Sequence, residues 1–453
     1  MTKKQNNIIL RFFHVKYAGI NQSVLYMKIA ILGGGITGLT SAYYLAKDGH
    51  RVTIMEKESA LGGLASGFKS KDWNWYLERA YHHLFASDHD ILNFAKEIDF
   101  DKIYFRSPET SSLFNNETMK QSNNFSVYPL DTPLDLLKFP LLGLIDKLRA
   151  GLIIIFLKLS PFLPMYKKMT SEEFLKKSMG IKVWNTLWQQ LFRGKFGKYA
   201  GIISSSFIWA RIKKRTKGLG YIEGGFQTFI DYIENKLKTL GVNVLASYEI
   251  TNIEKRGDKF EVNGKIYDKI ISTLPTPILV KLTSNIFSKK YLSHFNKLKY
   301  LHAITLILET DKPILDITYW LNICTEKIPF MILAQHTNFA DKKNYNNNHL
   351  AYIGWYVDGD NKLLKMNKEE ILKLVKPYFK KINSNCSIVK LFNCYLFKAA
   401  YAQPIFDKDF EENKPDFITP LKNFFIANLD MTYPYDRGTN YAVKLGKEVA
   451  GMI

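Results

Sequence analysis

KIAILGGGITGLTSAYYLAKDGHRVTIMEKESALGG, residues 28–63, sets the architecture of the N-terminal part of this chain. Lys28–Leu32 is mostly apolar and predicts a short buried strand. A glycine-rich turn follows, and apolar residues at helical spacing predict a helix from about Thr37 to Lys47. Arg51–Met55 alternates as a second strand, which Glu56 closes. This order of strand, glycine turn, helix and strand is typical of a nucleotide-binding βαβ unit.

The turn carries its glycines in GxGxxG spacing, at Gly33, Gly35 and Gly38. The first permits a tight turn, the second lets a pyrophosphate approach the backbone, and the third lets the helix pack closely on the strand. The helix N-terminus offers unpaired N–H groups and a partial positive charge to phosphates. Glu56 lies about 20 residues further on, where a carboxylate can accept hydrogen bonds from ribose hydroxyls. The segment therefore predicts a dinucleotide site.

A second glycine pair, Gly62-Gly63, follows Glu56 and precedes Leu64-Ala65. An extended flavin dinucleotide runs along a second stretch of backbone, and glycine is needed where the chain touches it. An ordinary loop does not need two adjacent glycines at this place. The pair therefore favours FAD over NAD as the cofactor.

Residues 28–65 resemble the FAD-binding start of the amine oxidase superfamily, which includes protoporphyrinogen oxidases, carotenoid desaturases and UDP-galactopyranose mutases. The likeness is greatest to proteins labelled protoporphyrinogen oxidase-like. Three later segments also resemble the family; they are GLGYIEGGFQTFIDYIENKLKTLGVNVLASYEITNIE (218–254), YDKIISTLP (267–275) and FFIANLDMTYPYDRGTNYAVKLGKEVAGM (424–452). The resemblance implies an α/β protein of two domains, with a discontinuous Rossmann-type FAD domain and a mixed α+β substrate domain.

The same resemblance divides the chain into segments. The FAD domain would comprise residues 27–80, 218–285 and 420–453, and the substrate domain residues 81–217 and 286–419. Residues 1–26 would be an N-terminal extension that is not native, because Met27 stands immediately before the first strand.

The motif and the resemblance together imply a set of cofactor-binding residues in all three FAD-domain segments. They are Gly33, Gly35, Ile36, Thr37, Gly38, Glu56, Lys57, Gly62, Gly63, Leu64, Ala65, Ile250, Thr273, Asn428, Asp436, Arg437, Gly438 and Thr439. In the family, the backbone at the position of Ile250 faces the adenine. Asn428 stands where relatives carry a group that contacts the ribityl chain.

The final helix opens at Arg437–Asn440, and its N-terminus would stabilise the negative charge of reduced flavin. Two roles remain open for Asp436, which would either cap this helix or meet a ribityl hydroxyl. Arg437 would either offset the flavin charge or pair with Asp436.

Candidate catalytic residues come from two segments that resemble parts of the family near the flavin. YHHLF (81–85) resembles the segment that passes the isoalloxazine ring, and there His82 or His83 would handle a proton near neutral pH. The alternative is a packed, hydrogen-bonded histidine between domains. YAQPIF (401–406) resembles the segment that returns over the flavin, where Tyr401 would line an apolar pocket or belong to the core.

Two basic segments, RGKFGKYA and RIKKR, allow a solvated face or a site for an anionic substrate group near the flavin. Their candidate residues are Arg193, Lys195, Arg211 and Arg215.

Composition narrows the class of protein. The net charge of +21 over 453 residues is either a compositional bias or an affinity for an anionic surface such as phospholipid headgroups. No nucleic-acid module is visible, and Cys324, Cys386 and Cys394 lack the spacing of a zinc site or a disulfide scaffold. We therefore expect no metal, no nucleic-acid partner and a reducing, cytoplasmic location.

Residues 139–168 form the most apolar stretch, but charged residues and prolines interrupt it, so a membrane-spanning helix is not expected. The pattern favours a buried helix pair in the substrate domain. The alternative is a peripheral contact with the inner face of the membrane, which would suit a lipid or isoprenoid substrate.

Three functions remain open. The leading one is an FAD-dependent oxidoreductase that moves a hydride from an apolar or lipid-linked substrate to flavin N5, with an unknown electron acceptor. The second is an isomerase of a nucleotide sugar, similar to UDP-galactopyranose mutase. Such enzymes carry Gly-Arg where this chain has Ala427-Asn428. The third is a flavoprotein without catalytic activity.

Overall fold

The computed structural model of the chain describes residues 26–115, 125–383, 386 and 390–453. The predicted N-terminal extension, residues 1–26, lies outside the described residues except for Tyr26. In chain order the strands are β1 (Lys28–Leu32), β2 (Arg51–Met55), β3 (Gly67–Phe68), β4 (Leu77–Glu78), β5 (Leu84–Phe85), β6 (Ile103–Arg106), β7 (Glu109–Asn115), β8 (Phe125–Pro129), β9 (Leu219–Ile222), β10 (Asn243–Leu245), β11 (Ile253–Arg256), β12 (Lys259–Val262), β13 (Lys265–Tyr267), β14 (Lys269–Ser272), β15 (Tyr300–Thr310), β16 (Thr318–Cys324), β17 (Ile332–Gln335), β18 (His349–Val357), β19 (Leu391–Pro404) and β20 (Phe424–Ile426).

The helices connect these strands and build a separate helical layer. They are α1 (Ile36–Lys47), α2 (His89–Glu97), α3 (Pro133–Lys138), α4 (Leu144–Leu159), α5 (Met165–Lys168), α6 (Ser171–Met179), α7 (Ile181–Val183), α8 (Gln189–Phe196), α9 (Ser205–Lys214), α10 (Phe226–Thr239), α11 (Thr276–Leu282), α12 (Lys289–Phe295), α13 (Lys368–Ile382), α14 (Phe410–Asn413) and α15 (Thr439–Ala450). A π-helical turn, Trp184–Trp188, joins α7 to α8.

A parallel sheet in the order β10-β2-β1-β14-β20 forms the nucleotide-binding layer within the described residues. Its central strands are short apolar runs, as expected for strands that helices cover on both faces. Helix α15 packs against α1 so closely that a Cβ at Gly446 would lie 2.6 Å from the carbonyl oxygen of Thr37. Glycine there brings the last helix against the first one. The five strands lie within residues 27–80, 218–285 and 420–453, and the domain boundaries themselves stay a prediction.

A second, mixed sheet has the order β19-β15-β18-β17-β16-β7-β8 in the described part of the chain. One face packs against α13 through residues such as Ile371 and Val375. On β18 the alternating residues Tyr352, Gly354 and Tyr356 lie on the opposite face, toward the nucleotide-binding layer and α8. The candidate site lies between this face and the C-terminal segment.

Helix α4 corrects one expectation. Of its residues, only Ala150 and Leu157 are buried, whereas Ile145 is 82% exposed and Leu159 is 74% exposed. The interpretation of residues 139–168 as a buried helix pair is therefore wrong for α4, because one face of this apolar helix has no packing partner among the described residues. Within the same ranges, every helix is too short or too polar to cross a bilayer.

Candidate active site

The first glycine turn is held by the neighbouring strand. Gly33 has φ +105°, and a Cβ on it would lie 2.6 Å from Thr273 Oγ1. The Thr273 hydroxyl in turn donates to the carbonyl oxygen of Leu32 at 3.0 Å. Thr273, predicted to bind cofactor, therefore supports the turn from the end of β14. At Gly38 a Cβ would collide with the carbonyl oxygen of Gly33, as expected for close helix–strand packing.

Gly35 differs from these two glycines. Its φ of −72° suits any residue, and a Cβ on it would have no neighbour within 4 Å among the described residues. The packing of the chain therefore gives no reason for glycine at this position, whereas an approaching ligand does. Within the described residues no side chain caps the N-terminus of α1, and its first turn holds no acid. This bare concave surface fits a pyrophosphate.

The second glycine pair lies directly beside the first turn. The N–H of Gly62 donates to the carbonyl oxygen of Gly34 at 2.8 Å, and Gly62 forms a parallel bridge with Gly35. Both glycines of the pair have positive φ, +114° at Gly62 and +55° at Gly63. Beyond them Leu64 is exposed and Ala65 is buried. The two glycine stretches thus form one continuous backbone surface.

Glu56 closes the far end of this surface. Its carboxylate accepts the N–H of Gly34 and the N–H of Glu58, both at 2.9 Å. Tyr248 donates its N–H to the carbonyl oxygen of Glu56 at 2.8 Å, which brings the half-buried Ile250 to the same end of the sheet. Lys57 is exposed. The carboxylate is fixed by backbone donors and retains further acceptor capacity for ribose hydroxyls.

Helix α15 begins at Thr439 with Gly438 as its N-cap, and within the described residues no side chain caps it. The alternative that Asp436 caps this helix is therefore wrong. The Asn428 side chain is buried and donates to the carbonyl oxygen of Leu274 at 3.0 Å and to Thr276 Oγ1 at 2.9 Å. The structure therefore directs the amide of Asn428 toward the protein interior.

Asp436 forms ion pairs with two cations from the helical layer. Its Oδ2 lies 2.7 Å from Lys195 Nζ and 3.9 Å from Arg211 Nη1. The two cations lower the pKa of Asp436 against the effect of burial. Arg437 directs its guanidinium elsewhere, donating to the carbonyl oxygen of Ala402 at 3.1 Å and covering the Tyr356 ring at 4.9 Å. Pairing of the Arg437 guanidinium with Asp436 is therefore not observed.

The two histidines lie inside the site as neutral groups. The Nδ1 of His82 lies 2.7 Å from the carbonyl oxygen of Ala80, and this contact assigns the proton to Nδ1 and leaves Nε2 as an acceptor. Burial lowers the pKa of His82 to about 4 and that of His83 to about 3. Burial therefore disfavours the imidazolium form of both histidines, and a role for either of them in proton transfer stays a prediction.

Tyr401 occupies a strained position at an irregular pairing of β19 with β15. Its φ is +55°, which bulky residues rarely adopt. Its ring contacts the rings of Tyr300 and His302 at 5.6 and 5.2 Å between centroids. The irregularity also presents the carbonyl oxygen of Ala402 to Arg437. Strain of this kind is common at functional sites.

Sequence reasoning missed a buried acid beside the histidine segment. Glu78 accepts the hydroxyl of Tyr221 at 2.8 Å and the N–H of Phe226, the first residue of α10, at 2.7 Å. Burial raises its pKa to about 7. The sequence around Glu78 shows only one acidic residue in the aromatic segment WNWYLERAYHH, which does not predict burial. The groups that donate hydrogen bonds to Glu78, from Tyr221 and Phe226, are 143 and 148 residues away in the sequence.

Gly354 was also missed. A Cβ there would lie 2.8 Å from Tyr81 Cε1, so glycine lets the Tyr81 ring lie on β18. That ring also meets the edge of Trp320 at 4.9 Å between centroids. As for metal sites, the described residues contain no cluster of His, Cys, Asp or Glu that could hold an ion.

Comparison with known proteins identifies the family and the fold of the chain. The profile of the family described as flavin containing amine oxidoreductase matches residues 36–453. The 15-cis-phytoene desaturase of Synechococcus elongatus is 36% identical over 93 residues, which are 20% of this chain and 19% of that enzyme. The chain thus matches about a fifth of the length of this curated relative.

Two solved structures have a similar fold. An oxidoreductase from Methanosarcina mazei has a TM-score of 0.71 at 19% identity, over 93% of this chain and 99% of that one. Reduced UDP-galactopyranose mutase has a TM-score of 0.69 at 15% identity, over 94% of this chain and 96% of that one. These likenesses confirm the predicted fold class.

Proposed function

This chain belongs to the flavin-containing amine oxidoreductase family, and we propose that it moves a hydride from an apolar or lipid-linked substrate to N5 of bound FAD. The family membership confirms the predicted resemblance, the flavin cofactor and the enzymatic class. The substrate and the reacting bond belong to the proposal.

The observation that carries the proposal is the bare surface at Gly35. The N-terminus of α1 and the pair Gly62-Gly63 would hold the pyrophosphate, and Glu56 would hold the ribose of the adenosine half. The N-terminus of α15 at Gly438 would face the flavin end of the cofactor and favour negative charge there.

The substrate side of the site supports chemistry in an enclosed, mainly aromatic space. Tyr81 lies on β18 at Gly354 and against Trp320, so its ring covers part of the inner face of the mixed sheet. His82 offers a neutral Nε2, which can accept a hydrogen bond from a substrate. Neutral and apolar walls suit a substrate whose reacting part is uncharged.

The lipid-linked part of the proposal is supported by α4. Its exposed apolar side chains follow one face at helical spacing; they are Leu144, Ile145, Leu148, Leu152, Ile155, Phe156 and Leu159. Lys138, at the end of the preceding helix α3, and Lys158, in the last turn of α4, are exposed, although the Nζ of Lys158 also donates to the carbonyl oxygen of Arg215. An apolar face with basic residues beside it fits a membrane surface of anionic lipids. In this proposal the enzyme works in the cytoplasm, on the inner face of the membrane.

A second candidate is the isomerisation of a nucleotide sugar. The cations that surround Asp436 favour it, because they suit a phosphate-bearing substrate. The pair Ala427-Asn428, where the mutases carry Gly-Arg, counts against it.

Anaerobic mixing experiments test both functions. Oxidised and chemically reduced holoprotein are each mixed with isoprenoid, amine and nucleotide-sugar compounds, and the flavin spectrum and the products are followed. An oxidoreductase bleaches its oxidised flavin with an isoprenoid compound. An isomerase converts a nucleotide sugar only in the reduced state, without net change in the flavin. Conversion of a nucleotide sugar without flavin bleaching by any isoprenoid would contradict the leading proposal.

A further inference from the structure

We propose that Lys195, Arg211 and Arg437 bind the phosphate or diphosphate group of an amphiphilic substrate, whose apolar part enters the adjoining cleft. This inference rests on the proposed function and adds the chemical class of the substrate. We call these three residues and Asp436 the cationic cluster.

The members of the cationic cluster converge from three separate elements. Lys195 comes from α8, Arg211 from α9, and Arg437 from the segment before α15. The two substrate-domain cations meet at one oxygen of Asp436, at 2.7 and 3.9 Å. Lys195 Nζ and the Arg437 guanidinium also lie over the same Tyr356 ring, at 6.0 and 4.9 Å from its centroid. The cations therefore surround one small volume.

Charge in the cluster is unbalanced. Three cations lie together with one carboxylate, which pairs with two of them, so two positive charges are left over. Neighbouring cations have their own partners: Arg215 pairs with Asp131 at 2.5 Å, and Arg193 pairs with Glu326 at 2.8 Å. Arg211 has only the 3.9 Å contact with Asp436 as an ion pair in the described residues. Lys195 is only 16% exposed, whereas Arg211 is 41% exposed at the solvent side of the cluster, so an anion could reach both.

The ionisation of Lys195 agrees with this excess. Burial lowers its pKa to about 8, and the charges of Arg211 and Arg437 act in the same direction, against the attraction of Asp436. An incoming phosphate would reverse this effect and stabilise the ammonium form. The excess of two charges matches a phosphate dianion better than a single carboxylate.

A cleft adjoins the cluster at Tyr356, the ring that Lys195 and Arg437 cover. Its volume is about 470 Å³, within the size range of small-molecule sites. Part of its lining is apolar and comes from β16, β18 and the loop between β16 and β17; this part consists of Ile323, Ile328, Pro329, Phe330, Met331, Trp355 and Tyr356. The rest of the lining comes from α8, the turn that follows it and the same loop, and includes the Arg193–Glu326 ion pair. Phosphate at the cluster and an apolar chain in the cleft would place one amphiphile across both.

The same charges argue against an amine substrate, despite the description of the family. A protonated amine close to Lys195 and Arg211 would meet two like charges, and the one carboxylate of the cluster is already paired with Lys195.

Calorimetric titration of the FAD-loaded protein tests the inference. In the holoprotein the glycine turns are occupied, so pyrophosphate reports on the cationic cluster. We expect pyrophosphate to bind, and Lys195→Met and Arg211→Met each to weaken it about tenfold or more. Lys195→Arg should retain binding. Lys376→Met, which removes an exposed charge from α13, is the matched control and should leave the affinity unchanged.

Two further ligands identify the source of the phosphate. A prenyl diphosphate should bind at least about ten times more tightly than pyrophosphate, because binding transfers its apolar chain from water into the cleft. Uridine diphosphate should show no such gain, and a gain confined to it would overturn the apolar half of the inference. Absence of pyrophosphate binding in protein that carries full flavin, or equal affinity in all variants, would overturn the phosphate site. A protein without flavin would instead contradict the proposed function.

Discussion

At the residue scale, two glycines allow the close contacts on which this site depends. The sequence alone predicts the role of one of them but not that of the other. Gly35 belongs to a local motif, so its role follows from the spacing of its neighbours. Gly354 stands alone in β18, and the ring that needs its missing Cβ belongs to Tyr81, far away in the sequence. A local pattern predicts the first kind of glycine, whereas only the folded chain identifies the second.

Gly354→Ala should destabilise the protein. A methyl group at this position would lie 2.8 Å from the Tyr81 ring, which is itself packed against Trp320 and cannot retreat freely. Overpacking of this kind costs about 1–3 kcal/mol of unfolding free energy. Denaturant unfolding measures it, with Gly218→Ala as the control, because a Cβ there has no neighbour within 4 Å in the described chain. Equal stability of the two variants would contradict the placement of Tyr81.

Glu78 should make stability depend on pH. Burial raises its pKa from 4.5 to about 7, so the folded state keeps a proton that the unfolded chain has released. Between these values the folded state binds more protons, and its stability falls as pH rises. The shift corresponds to about 3 kcal/mol between pH 5 and pH 8.

The comparison of wild type with Glu78→Gln isolates this contribution. Asp430, whose pKa burial raises to about 6, and the neutral histidines also titrate, but they do so in both proteins. The difference in unfolding free energy, wild type minus variant, should therefore fall from pH 5 to pH 8. A difference that stays constant would mean that Glu78 is ionised normally.

At the element scale, local pattern predicts the first βαβ unit better than it predicts the later strands. The predicted bounds of β1 and β2 are those observed, and α1 begins at Ile36, one residue before its predicted start. The sequence pattern of Glu249–Lys255 also predicts a short strand, but the strand in this region, β11, begins only at Ile253 and ends at Arg256. Just before the predicted start, Tyr248 donates its N–H to Glu56, a tertiary contact that a single segment does not reveal.

Substitutions on the exposed apolar face of α4 should abolish membrane binding while changing the stability of the protein only slightly. Leu148 and Leu152 are 53% and 67% exposed, so Leu148→Asp with Leu152→Asp should lower the unfolding free energy by no more than about 1–1.5 kcal/mol, which reflects the lower helix propensity of aspartate. The same change should abolish co-sedimentation with vesicles of anionic phospholipid, because it puts charges into the apolar face. The control variant Ile317→Asp, at a side chain that is 71% exposed and lies outside α4, should still co-sediment with the vesicles. Loss of stability without loss of binding would contradict the assignment of this face.

At the scale of the whole molecule, two properties come from parts of the chain that are distant in sequence. The parallel sheet combines β1, β2, β10, β14 and β20 from three regions of the sequence. The resemblance to the amine oxidase superfamily implied this assembly, whereas the composition of the chain could not predict it. The cationic cluster likewise needs α8, α9 and the C-terminal segment together. The sequence marked its basic residues as candidates, but their convergence on Asp436 depends on tertiary structure.

The net charge of +21 should appear in the salt dependence of vesicle binding. The attraction between the protein's positive charges and anionic lipids extends over about 30 Å at 0.01 M salt but over only about 3 Å at 1 M salt. Binding to anionic vesicles should therefore weaken as salt rises, while the apolar contact of α4 remains. Affinity that does not change with salt would show that the excess charge takes no part.

The most direct test of the account is the flavin content of wild type and Gly35→Val, measured by visible absorption of the purified, folded proteins. The backbone at Gly35 accepts any residue and a Cβ there would meet no described atom within 4 Å, so the variant should fold, at a cost of about 1 kcal/mol for valine at the N-cap of α1. The account predicts one bound FAD per wild-type chain and none in Gly35→Val. Full flavin content in Gly35→Val, or a folded wild type that takes up no FAD when supplied with it, would contradict the account.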